Sequence, residues 1–278
     1  MSDSGALVVL LTGAASGIGR HLADCLVTRG ERLLATDVAV EPLENYATAQ
    51  GWPQDRVRTA RLDVRSTEDW EAAIAAAATN WGRLDVLLNV AGYVHPGWIH
   101  EVDAEEIDRH IDINTKGVIL GTRAAARQMV KQGHGQIVNI ASLAGIAPIP
   151  GISLYSASKF AVRGFTLAVA EELRPHGVTV SVVCPDAVDT PMLDKQIDFT
   201  EAAMTFSGRR ALQVEDVARA VLDVALVRKR LEVTLPRHRA WMAKLTSLWP
   251  ALSRPLLPRL TQQGLRRQEA ARELRKQQ

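Results

Sequence analysis

Tyr155 and Lys159 stand four residues apart in the stretch SLYSASKF, residues 153–160, so on a helix they project from one face. A phenol with a pKa near 10 is a poor base at neutral pH. A cation one turn away favours the phenolate, and each unit of lowering is worth about 1.4 kcal/mol. Taken alone, such a pair is more often the polar side of a surface helix than a reactive unit. Ser142 ends the apolar run GQIVNIAS. A hydroxyl at the carboxyl end of a strand stands where open α/β sheets bind ligands, and it can hydrogen-bond a substrate oxygen. By itself it is more often a strand-end cap.

A second group of residues supplies a context for that pair. TGAASGIGR, residues 12–20, follows the apolar run LVVLLT and opens a segment with Leu22, Cys25 and Leu26 at helical spacing. Strand, glycine turn and helix in this order are the context a dinucleotide site requires, with phosphates facing the free N–H groups at the helix start, although the glycine stretch alone also fits a plain tight turn. Gly13 allows the tight turn, Gly17 lets the backbone approach a pyrophosphate, and Gly19 permits close helix-on-strand packing. Ser16 and Ile18 complete the phosphate-facing loop. Asp37 ends the next strand, where an acid binds ribose hydroxyls and repels a 2'-phosphate. Neither Ser16 nor Val38 offers a cation to receive such a phosphate, so the expected cofactor is NAD rather than NADP. The competing reading of Asp37 is a cap for the helix that follows.

The elements that position these residues alternate regularly. Strands are expected at 7–12, 32–37, 57–63, 84–90, 135–142, 178–185 and 231–236, and helices near 17–29, 41–50, 67–81, 104–131, 153–174 and 214–228. Most strands read as nearly continuous apolar runs, as in a parallel sheet covered on both faces. The expected fold is therefore α/β, a doubly wound Rossmann-type parallel sheet of about seven strands. A single domain spans 1–236, and a basic amphipathic helical extension spans 237–278. With 47% hydrophobic residues in a chain of 278, a sizeable core is expected. There is no basic-then-apolar leader and no apolar run long enough to span a bilayer. Cys25 and Cys184 read as buried free thiols of a reducing, cytoplasmic compartment, and no metal site is expected.

Taken together, these motifs resemble the short-chain dehydrogenase/reductase family over about residues 5–236. TGAASGIG resembles its glycine signature, LDV at 62–64 its adenine-contacting acid, and NVAG at 89–92 its N-N-A-G signature. Asn114 in IDINTKG, Ser142, YSASK at 155–159 and PDAVDTPM at 185–192 follow in the family's order. The resemblance implies a catalytic set of Asn114, Ser142, Tyr155 and Lys159, with Asn114 holding a relay water and Lys159 also binding the nicotinamide ribose. It implies further cofactor contacts from Asp63, Val64, Asn89, Ala91, Pro185, Val188 and Thr190, and a homodimer or homotetramer. Two positions depart from the pattern. Val90 replaces the second asparagine, and Asp186 replaces a glycine near the reactive end of the cofactor, where its side chain is expected to turn outward.

Substrate loops are expected at 93–102, 143–152 and 192–208. They carry Trp98, Ile149, Met192, Leu193, Phe199 and Phe206 and few charges, which suits a hydrophobic secondary alcohol or ketone of lipid, sterol or retinoid type. Beyond Leu235 the chain holds ten Lys+Arg against two acids. Trp241, Leu245, Leu248, Leu252, Leu256 and Leu260 recur every three or four positions, broken by Pro250, Pro255 and Pro258. A membrane interface, a lid, a subunit contact and a solvated tail all fit this pattern, and RRQEAARELRKQQ reads as a charged, partly frayed helix. Nucleic acid is not an expected partner. The sequence thus indicates an NAD(H)-dependent oxidoreductase with Tyr155 as acid/base. The rival is an NAD(H)-binding regulatory or membrane-surface scaffold with little catalysis.

Overall fold

The computed structural model describes residues 5–252 and 254–276, excluding the side chains of Leu252 and Lys276. Seven apolar runs become strands: β1 Val8–Thr12, β2 Arg32–Asp37, β3 Val57–Arg61, β4 Val86–Asn89, β5 Gly135–Ile140, β6 Val178–Pro185 and β7 Glu232–Leu235. They form one parallel sheet in the order β3-β2-β1-β4-β5-β6-β7. Every residue of β1 and β4 is buried, as continuous apolar runs require when both faces are covered.

The helices cover both faces of the sheet. On one side Leu22, Ala23 and Leu26 of α1 (Gly17–Thr28), Leu43 of α2 (Val40–Ala49) and Val217 of α8 (Val214–Arg219) pack against Val9, Leu11 and Leu88. On the other, α3 (Thr67–Trp81), α5 (Gly117–Gln132) and α6 (Ser153–Leu173) bring Trp70, Ala77, Met129 and Ala170 onto Leu10, Leu87 and Ile137. Ser66 caps α3 by accepting from the Asp69 N–H at 3.0 Å, and Gly82 ends it with φ 78°. The strand order reverses between β1 and β4, which opens a crevice at the carboxyl edge of the sheet.

Three elements differ from the sequence reading. The helix expected over 104–131 is α4 (Ala104–His110), a wider-wound π-type stretch over Ile111–Lys116, and then α5. The insertion turns Asn114 fully inward. The helix expected over 214–228 likewise passes from α8 into π-type turns over Ala220–Val227. In the extension, α9 (Arg237–Leu248) and α10 (Leu257–Lys276) follow β7, and the short α7 (Pro191–Asp194) starts the last substrate loop. The segment read as a charged, partly frayed helix belongs to α10, which packs one side through Gln268, 1% exposed, and leaves Arg266, Glu269, Glu273 and Arg275 exposed. Its last two residues, Gln277 and Gln278, lie outside the described ones.

Candidate active site

The turn after β1 is shaped by contacts that only glycine permits. Gly13 has φ 72°, and a Cβ there would stand 2.9 Å from the backbone of Ala91. A Cβ on Gly19 would stand 2.0 Å from the Gly13 carbonyl oxygen, which is the close helix-on-strand packing expected of it. Gly17, at φ 51°, faces the Thr190 methyl group at 3.2 Å from its would-be Cβ. Ser16 precedes α1 with no side-chain cap bond, leaving the first N–H groups of the helix for an anion. Asp37 lies against this turn. One carboxylate oxygen accepts from the Ala15 N–H at 2.9 Å and the other from the Ala39 N–H at 2.9 Å, so it ties the turn and also supports the start of α2. These residues fit a dinucleotide: an open glycine cradle at a helix start, with an acid at the end of the neighbouring strand.

Further along the crevice, a cleft of about 800 Å³ including its mouth gathers Ile18, Ser142, Tyr155, Lys159, Pro185, Val188 and Thr190. Its other walls include Val90, Gly92, Ile149, Asp186, Met192, Leu193, Gln196 and Thr205. The structure therefore brings the residues of four separate motifs to one place. Ser142 Oγ accepts from the Ala144 N–H at 3.1 Å and lies 3.4 Å from the Pro185 carbonyl. It also hydrogen-bonds the half-buried Tyr155, which favours the phenolate. Lys159, 3% exposed, donates through Nζ to the Ile140 carbonyl at 2.9 Å and lies 5.6 Å from the Tyr155 ring centre.

The electrostatics correct one expectation. Burial pushes the Tyr155 phenol up to about 12 against the opposing Ser142 bond, and burial pulls Lys159 down to about 8. The Lys159 cation therefore does not set the phenol below its ordinary value in this structure. Its hydrogen bond goes to the Ile140 carbonyl, and desolvation dominates the shift of both groups. Asn114 is committed on both sides. Nδ2 donates to the Tyr93 carbonyl at 2.8 Å and to Ser158 Oγ at 3.0 Å, and Oδ1 accepts from the Tyr93 N–H at 2.7 Å.

Other expected cofactor residues are placed differently from one another. Val64 packs on Gly117, whose Cβ would meet it at 2.8 Å. Asp63 is clasped by Arg65 at 2.7 Å, and that guanidinium holds its carboxyl below the usual range. Asn89 turns into the sheet, donating to Asn139 Oδ1 at 2.8 Å, so its side chain supports the strands and does not face the cleft. Its neighbour in the motif, Val90, does line the cleft.

Asp186 overturns a second expectation. Its side chain is 14% exposed and bound at 2.6 Å by Arg239 Nε of α9, so it does not turn outward. Burial raises its carboxyl, and Arg239 opposes that shift. Nothing in the local sequence signals this pair, because its partner lies in the extension. Cys184 is buried as expected, whereas Cys25 is half-buried, 3.5 Å from His21 Nε2. Among the described residues no cluster of His, Cys, Asp or Glu could hold a metal ion, and no helix is long and apolar enough to cross a membrane.

Fold and cleft define a dinucleotide-dependent oxidoreductase of the Rossmann type, and comparison with known proteins gives the family. Residues 7–200 match the short chain dehydrogenase family, and the chain belongs to it. The chain is 39% identical over 199 residues to a 2-(R)-hydroxypropyl-CoM dehydrogenase of Xanthobacter autotrophicus, covering 70% of this chain and 79% of that one. It is 38% identical over 187 residues to a 3-alpha-(or 20-beta)-hydroxysteroid dehydrogenase of Mycobacterium bovis, covering 67% and 71%. Among solved structures, a short-chain dehydrogenase/reductase of Burkholderia phymatum in complex with NAD superposes with a TM-score of 0.80 at 26% identity, over 91% of this chain and 97% of that one. ElxO with NADP bound gives 0.75 at 26% identity, over 83% and 97%. A nicotinamide cofactor is thus a property of the family, and of these two structures one holds NAD and the other NADP.

Proposed function

We propose that the chain is an NAD(H)-dependent dehydrogenase or ketone reductase acting on a hydrophobic secondary alcohol or ketone. The convergence of Ser142, Tyr155 and Lys159 on one largely apolar cleft beside the glycine turn carries this reading. Asp37, set against the turn with no cation in the expected place, supports NAD. Bound nicotinamide supplies the hydride acceptor or donor. Ser142 and the Tyr155 hydroxyl hold the substrate oxygen, and Tyr155 takes its proton on oxidation or returns it on reduction. Lys159, buried beside the phenol, favours phenolate when protonated and contributes a ribose contact. Asn114, tied to the Tyr93 backbone and the Ser158 hydroxyl behind the cleft, stands where the relay to solvent passes. Asp63, Val64, Ala91, Pro185, Val188 and Thr190 line the remaining length of the cofactor path, with Asn89 acting from within the sheet.

The substrate class rests on Ile149, Met192 and Leu193 in the cleft wall. The relatives named for a hydroxysteroid and a hydroxypropyl-CoM support the alcohol part of this reading and differ from each other in bulk. We further read residues 1–236 as the catalytic domain, 237–278 as an extension of it, and the active form as a homo-oligomer in the cytoplasm. The extension also contacts anionic lipid through α9, where Trp241, Met242, Leu245, Leu248 and Trp249 form one exposed stripe.

The experiment is NADH production across secondary alcohols of increasing bulk, with NADP in parallel. The wild type is expected to prefer NAD, and Tyr155→Phe to lose about 10³-fold or more in kcat while binding NADH within about twofold. Full turnover in that variant would remove the mechanism. Tight NADH binding without turnover of any alcohol by the wild type would favour the scaffold reading.

A further inference from the structure

The last substrate loop is held by its backbone, and the groups that hold it come from the extension. Gln268 of α10, 1% exposed, donates through Nε2 to the carbonyl oxygens of Gln196 at 2.9 Å and Phe199 at 2.6 Å. Its Oε1 is buried without a partner. Arg272 donates to the Ile197 carbonyl at 2.8 Å, Arg275 to the Asp194 carbonyl at 3.1 Å, and Arg267 to those of Ser207 and Gly208. Gly264 brings the helix so close that a Cβ there would stand 1.9 Å from the Ala203 carbonyl oxygen.

These bonds lead directly to the cleft. Gln196, whose carbonyl Gln268 holds, lines the cleft and donates from its own amide to the Met192 carbonyl at 3.1 Å. Its Oε1 accepts from Thr205 Oγ1 at 3.2 Å, and Met192 and Thr205 are wall residues too. Phe199, the second anchor, stacks edge-on against His95 of the loop after β4, with ring centres 5.2 Å apart. Gly151, from the loop before α6, packs so tightly on the Glu201 carbonyl that a Cβ would stand 1.9 Å away. Three substrate loops therefore meet under α10, and one buried amide spans the joint between two of the fixed carbonyls.

We propose that Gln268 is a specificity-determining positioning residue. By fixing the carbonyls of Gln196 and Phe199, it sets the place of the Met192–Thr205 wall and hence the bulk of the alcohol admitted. A buried amide with an unsatisfied acceptor is costly to keep, and a simple packing role would be served as well by an apolar side chain. The proposal rests on the hydride-transfer reading above for its kinetic consequence, and on the contacts alone for its structural one.

The test uses the full chain with Gln268→Met, which keeps the bulk and removes the donor. Backbone hydrogen exchange over 194–208 is expected to accelerate about tenfold, the equivalent of about 1.4 kcal/mol. NADH affinity stays within about twofold. KM for a compact apolar alcohol rises about tenfold with kcat nearly unchanged, while bulky alcohols lose less, so the preference between them narrows. Gln268→Glu donates only when its carboxyl is protonated, so its compact-alcohol KM is expected to recover as pH falls. The milder Arg272→Ala, which loses one carbonyl bond near the surface, is expected to shift exchange in the same direction by less, and it decides the matter if Gln268→Met does not fold. Unchanged exchange over 194–208 and an unchanged substrate preference in a folded variant would overturn the proposal. Faster exchange in a chain whose wild type turns over no alcohol would leave the positioning role standing and defeat the hydride-transfer reading.

Discussion

Lys159 and Tyr155 are shifted in opposite directions by the same burial, and only the lysine has a consequence near neutral pH. Its folded value of about 8 lies below the ordinary 10.5, so between those values the unfolded chain binds more protons. Stability is therefore penalised below pH 8 and gains as pH rises through that window. We expect the wild type to gain about 1 kcal/mol per pH unit at most over Lys159→Met between pH 8 and 10, read from denaturant midpoints. Tyr155, raised from 10.0 to about 12, acts in the reverse sense above pH 10, and the Met variant leaves that contribution in place. A flat difference across the window would contradict the assigned environment. The positions of Tyr155, Lys159 and Ser142 were legible in the sequence because each lies in a short motif on one element. Their proton affinities were not, because desolvation depends on which strands and loops close over them. Asp186 illustrates the same limit: the residue is conspicuous in PDAVDTPM, but the guanidinium that neutralises it comes from α9.

At the scale of elements, the β1–α1 junction tolerates no side chain at Gly19, while a methyl group added at Gly164 in α6 would meet nothing within 4 Å. Gly19→Ala should therefore push α1 off the strand, costing about 1–3 kcal/mol and most of the NADH binding. Gly164→Ala should be neutral or stabilise by up to about 1 kcal/mol through helix propensity. Chemical denaturation and NADH fluorescence titration of both variants check this, and equal effects would refute the junction argument. All seven strands and their parallel arrangement follow from apolar runs alternating with helical period, so the strand ends were readable to within a residue or two, while the strand order was not. The π-type stretch at Ile111–Lys116 was not, because one extra residue per turn leaves the apolar spacing almost unaltered. Its effect is nonetheless local and specific: it turns Asn114 toward Tyr93 and Ser158.

On the whole molecule, charge and apolar surface are separated along the chain. Arg237, Arg254, Arg259 and Arg266 share a stretch of sequence with the exposed α9 stripe, and no acid occurs between Glu232 and Glu269. Two copies docking through this face by a twofold axis would set like charges together, whereas an anionic bilayer complements them. Co-sedimentation with vesicles containing anionic lipid should be lost in the Trp241→Ser, Trp249→Ser double variant and weakened by salt. Absence of binding by the wild type, with these substitutions instead changing its oligomeric state, would assign the stripe to a second copy. The repeating Trp and Leu were legible in sequence. What separates α9 from α10 was not, since α9 exposes its stripe while α10 directs its polar side chains to backbone carbonyls of a loop far upstream.

That last arrangement also bears on how the chain matures. A polypeptide is made from its amino terminus, and domains fold as they emerge. The cofactor cradle, the sheet and the Ser142, Tyr155 and Lys159 cluster are all complete by β7. The wall of the cleft formed by residues 192–208 has, besides its local turn bonds, carbonyl anchors from Gln268, Arg272 and Arg275 of α10. The reactive groups can therefore assemble before α10 has been made, whereas the wall that sets substrate discrimination is anchored only once α10 has joined it.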